Sequence, residues 1–104
     1  MLTVDAAFDR IGSALKQRGY AVESDKKSAD SSGDRTVLFA SQDMSVRVHW
    51  QGKARLLTLQ VEVKGEWVEF ARRGFGPQGL EDSAVEALVR AVRNEVAETS
   101  TDAD

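Results

Sequence analysis

The chain contains no cysteine, which excludes disulfides, thiolate metal sites and cysteine nucleophiles at once. Histidine and proline occur once each, as His49 and Pro77, and no metal-ligand spacing, phosphate loop or catalytic signature is present. No apolar run is long enough to span a bilayer. The opening residues Met1 to Asp5 lack the basic and apolar regions of a signal peptide, so a cytoplasmic location with no membrane contact is expected. A strong basic excess is missing too. The net charge is −3, with seven basic and four acidic residues between positions 35 and 78 and two basic and seven acidic after position 79. That balance disfavours a nucleic-acid duplex as partner.

What is present is ordinary for one soluble domain. Hydrophobic residues make up 41% and charged residues 30% of 104 positions, enough to close a single core without staples. The division expected is one α+β domain over residues 1–98 and a flexible acidic tail over 99–104.

Four segments carry the fold signal: Thr36 to Ser41, Met44 to Trp50, Leu56 to Val63 and Trp67 to Arg72. In each, apolar residues recur at every second position, the period of a half-buried strand. With tight loops at Gln42-Asp43 and Gly65-Glu66, one inner face collects Val37, Phe39, Val46, Val48, Trp50, Leu57, Leu59, Val61, Val63, Val68 and Phe70. The outer face then receives Thr36, Leu38, Ala40, Ser45, Arg47, His49, Thr58, Gln60, Glu62, Lys64, Trp67, Glu69, Ala71 and Arg73. A slip of one residue in any strand would expose its whole apolar set.

Helical periods flank this block. Val4, Phe8, Ile11 and Leu15 form one stripe over residues 4–18, with Thr3 as N-cap and Gly19 as a left-handed end. Val85, Leu88, Val89, Val92 and Val96 form another, with Ser83 and Glu86 spaced as a capping box. A short first strand is expected around Tyr20 and Val22. The polar run Asp25 to Asp34 reads as a mobile loop. The fold predicted is a two-layer α+β sandwich: an antiparallel meander of about five strands with N- and C-terminal helices packed on one face. This plan in a small acidic chain resembles that of bacterial secretion-chaperone-like domains, a likeness of architecture that reaches no individual residue.

Chemistry has few candidates. Gly76-Pro77-Gln78-Gly79 fits the GxxG pattern of KH loops, but it links a strand to a helix and lacks basic residues, so it reads as a bend. Glu62 and Glu69 are expected opposite each other on the outer face, a surface charge cluster beside Arg47 rather than an acid–base pair. His49 has neither an orienting acid nor a nucleophile in sequence reach. No catalytic residue, metal ligand or cofactor is therefore expected. Aromatic and arginine side chains do anchor interfaces, and Leu38, Arg47, His49, Trp67 and Arg73 are the binding candidates on the outer face. The expected function is that of a non-enzymatic binding or adaptor domain acting through that face or a strand edge, on a protein partner or on a second copy as a homodimer. The alternative is a nucleic-acid or anion module using Arg47, Arg72, Arg73 and Trp67.

Overall fold

A computed structural model describes residues 1–28, 33–42 and 44–96. The expected 99–104 tail lies outside the described residues. The elements follow the order α1 (Val4–Lys16), β1 (Ala21–Lys27), β2 (Arg35–Ala40), β3 (Ser45–Gln51), β4 (Leu56–Val63), β5 (Glu66–Gly74) and α2 (Asp82–Glu95). The strands form one antiparallel sheet in the order β1-β2-β3-β4-β5, so the α+β meander read from the sequence is the fold observed.

Helix α1 begins where Thr3 Oγ1 accepts from the Ala6 backbone N–H at 3.0 Å. It ends where Gly19, at φ +93, lets its own N–H reach the Lys16 carbonyl and that of Tyr20 reach Leu15. This double back-bond caps carbonyls that the helix leaves open. Gly12 faces the sheet, and a Cβ placed there would lie 3.1 Å from the Phe39 ring, so the absent side chain is what lets α1 settle on β2. Helix α2 starts at Glu81, which makes no side-chain cap. The expected Ser83–Glu86 box does not form: the helix begins at Asp82, which puts Ser83 inside the first turn rather than at the cap, and Glu86 accepts instead from Arg10 of α1 at 2.8 Å. The pairs Arg10–Glu86 and Arg18–Arg93 carbonyl run in the same order along both helices, which therefore lie parallel. Among the described residues no helix is long and apolar enough to cross a membrane.

The core is the inner sheet face under these helices. Val37, Phe39, Val46, Val48, Trp50, Leu57 and Leu59 are buried with Phe8, Ile11, Leu15, Val85, Leu88 and Val92. Pairing of Val37 with Val48 and Phe39 with Val46 is as expected, and Trp50 opposite Leu57 fixes the β3–β4 register.

Four sequence expectations need correction. First, β1 continues through Lys27, so Asp25 to Lys27 are strand rather than loop. The cause is Arg35, whose guanidinium holds the Asp25 carboxylate at 2.7 and 3.0 Å. Second, the β4–β5 turn is Lys64-Gly65, both with positive φ (+53 and +83), the backbone twist that a two-residue hairpin favours. Val61 therefore faces Val68 and Glu62 faces Trp67, while Glu69 lies opposite Gln60 rather than Glu62. Third, a bulge breaks β5. Leu59 pairs with Ala71 and Gln60 with Glu69, leaving Phe70 as the extra residue. Beyond it the alternation is inverted: Ala71 and Arg73 turn to the helix side and Arg72 to the outer side. Fourth, Val63 and Val68 are on the inner face but 45% and 47% exposed. Helix α2, 14 residues and so about 21 Å long, starts at the Arg73 end of a nine-residue strand of about 30 Å, and the hairpin tip projects past it.

Candidate functional site

The helices cover one face of the sheet, and among the described residues the outer face is left open. Cross-strand pairing sets its side chains in three rows. One row runs Lys26, Thr36, His49, Thr58, Arg72; the next runs Ser24, Leu38, Arg47, Gln60, Glu69. The third contains Ala21, Ala40, Ser45, Glu62 and Trp67.

At the centre, the Arg47 guanidinium lies over the Trp67 ring, 4.4 Å from its centroid, and its Nε donates to Gln60 Oε1 at 2.7 Å. Both side chains are half-buried. An arginine stacked on an aromatic and held by an amide is fixed in one rotamer, so it loses little further freedom on docking. Beside it Thr36 Oγ1 and His49 Nδ1 are hydrogen-bonded at 2.6 Å. Thr36, Arg47, His49 and Gln60 line a shallow depression of about 330 Å³. At the edge Arg72 Nε donates to Glu69 Oε2 at 3.0 Å. The face thus offers an ordered cationic–aromatic centre with Leu38 and Ala40 next to it. Among the described residues His49 has no carboxylate to orient it, and no three histidine or acidic side chains converge as metal ligands.

Of the five binding candidates, Leu38, Arg47, His49 and Trp67 share this face, in adjoining rows. Arg73 does not. The Phe70 bulge places it opposite Leu57 on the helix side, where it borders a small hollow with Met1, Phe75 and Glu81. The four-residue set Arg47, Arg72, Arg73 and Trp67 is accordingly split between two faces. An anion is not favoured at the start of α2 either, since Glu81 and Asp82 occupy it and Asp82 already meets the Met1 amino group and Arg10. The GxxG segment is a strand-to-helix bend, tied down by Arg55 Nε donating to the Gly76 carbonyl at 2.7 Å.

Two features escaped the sequence reading. Gln60 and Thr36 fix Arg47 and His49, and the alternation that put all four on one face was the available signal. A second depression, about 390 Å³, lies between α1 and β1, lined by Phe8, Gly12, Val22 and Phe39 with Asp25 and Arg35. Arg35 there is already engaged, because it binds Asp25 and Asp5 and stacks on Phe8 at 4.5 Å. Comparison of the chain with protein-family models, curated proteins and solved structures finds no match in any of the three.

Proposed function

We propose that this chain is a non-enzymatic binding domain that holds a protein partner on its outer sheet face. The observation that supports this most is the Arg47–Trp67 stack, locked by Gln60 and set beside Leu38 on a face that no helix among the described residues covers. Interfaces are anchored by rigid aromatic and arginine groups near their centre, ringed by polar side chains that exclude water. Here the ring is supplied by Thr36, His49, Glu62 and Glu69. The partner that fits has an apolar group to cover Leu38 and the free part of the indole, and an acidic group for the remaining Arg47 donors.

The test is recovery of partners from the source cell extract on immobilised wild-type and Trp67→Ala chains, with thermal melts alongside. A partner retained by the wild type and lost by the variant, with the melting temperature little changed, is the expected result. Retention of the same partners by both chains contradicts the reading.

A further inference from the structure

We infer that β5 is a self-recognition edge, through which two copies of the chain pair their sheets about a two-fold axis. β5 is the last strand of the sheet and has no neighbour on its far side among the described residues. Its sequence divides by charge about the bulge: Glu66 and Glu69 before it, Arg72 and Arg73 after it. An antiparallel two-fold contact lays the acidic half of one strand along the basic half of the other. With the Glu69–Phe70 bulge on the axis, Glu66 falls opposite Arg73 of the second copy, Trp67 opposite its Arg72, and Val68 opposite its Ala71.

Faces agree as well as charges. Glu66, Val68, Ala71 and Arg73 are all on the helix side, and Trp67 and Arg72 on the outer side, so each pair meets on one surface. The bulge makes this match possible: without its extra residue, one half of the strand would present the opposite face to its mate. Glu66 and Arg73 are exposed, and Val68 is 47% exposed, which leaves an apolar side chain at the rim for Ala71 of the second copy to cover. Helix α2 lies against β5 but leaves Val68 and Arg73 exposed. The opposite edge is less suited: β1 has Asp25 taken by Arg35 and ends in Lys26 and Lys27, charges that protect an edge from pairing.

Sedimentation equilibrium of the full chain tests this, with circular dichroism to verify folding. The wild type is expected to dimerise. Glu66→Arg and Arg73→Glu, each setting like charges together twice per dimer, are expected to weaken association about tenfold or more. The double variant Glu66→Arg/Arg73→Glu restores opposite charges and should return to near the wild-type constant. A wild type that is monomeric at about 100 μM, or a dimer indifferent to Glu66→Arg, overturns the inference. Trp67 is shared with the outer-face reading, but Glu66 and Arg73 lie on the helix side, so these charge variants test the edge alone and leave the outer-face residues Leu38, Arg47 and Trp67 unchanged.

Discussion

Phe39→Ala is expected to cost about 3–5 kcal/mol of folding stability, and Phe70→Ala only about 1–2 kcal/mol. Both are apolar aromatics on strands, and simple alternation would place both in the core. Phe39 is 3% exposed and lies under Gly12 of α1 in close contact. Its truncation leaves a cavity roofed by a helix that cannot collapse onto it. Phe70 is the bulge residue of an edge strand, half-buried and only flanking the core. Its removal forfeits less buried area and opens onto solvent. Urea denaturation of the two variants decides the matter. Equal costs would mean that β5 is not bulged at Phe70, and the assignment of Arg72 and Arg73 to opposite faces would fall with it.

Arg35→Ala is expected to destabilise by about 2 kcal/mol, a figure below that for breaking a fully buried pair because Asp5 and Asp25 retain solvent contact. Arg35 is the inner-face residue at the start of β2, its side chain 14% exposed. It ties β2 to two other elements: to α1 through Asp5 at 2.8 Å and the Phe8 ring beneath it, and to β1 through Asp25 at 2.7 Å. Removing the guanidinium releases the far half of β1, which has little apolar burial of its own. The pH dependence has a definite sign. Hydrogen bonding to Arg35, followed by its charge and that of Lys27, holds the Asp25 carboxyl below the ordinary aspartate value of 3.8 against an opposing effect of burial. A carboxylate depressed in the folded state adds stability that is fully present above its unfolded pKa and is lost as pH falls through the folded one. The wild-type melting temperature should therefore drop as pH falls below about 4, and Asp25→Asn should flatten that part of the curve. A wild type and an Asp25→Asn variant with identical acid profiles would remove the pair from the energetics.

These two residues also mark where the sequence is readable and where it is not. Val37, Phe39, Val46, Val48, Trp50, Leu57 and Leu59 were legible as one face because alternation is imposed by the pleat itself, and a hydrophobic inner row tolerates no slip. Stripes at helical spacing disclosed α1 and α2 for the same kind of reason. The bulge was not legible. Phe70 continues the apolar pattern of β5, so nothing local says that the strand gains a residue there, and Arg73 was assigned to the wrong face in consequence. The start of α2 was misread because a distant contact sets it: Leu80 bridges to Leu2 while Arg10 takes Glu86 away from a capping role. The reach of β1 was hidden likewise, since the arginine that holds Asp25 lies ten residues further on. On the outer face, Leu38, Arg47, His49 and Trp67 were found together because period-two alternation holds across the three strands β2 to β4 and to the bulge in β5.

The outer face as the receiving surface is tested most directly by hydroxyl-radical footprinting of the chain with and without a captured partner. Met1, 69% exposed, and Val22, 47% exposed, serve as internal references away from that face. Protection of Trp67 and Leu38 on partner binding, with Met1 and Val22 oxidised as before, is the expected result. Unchanged oxidation of Trp67 and Leu38, with protection at Met1, Val22 or the outer surfaces of α1 and α2, would contradict it.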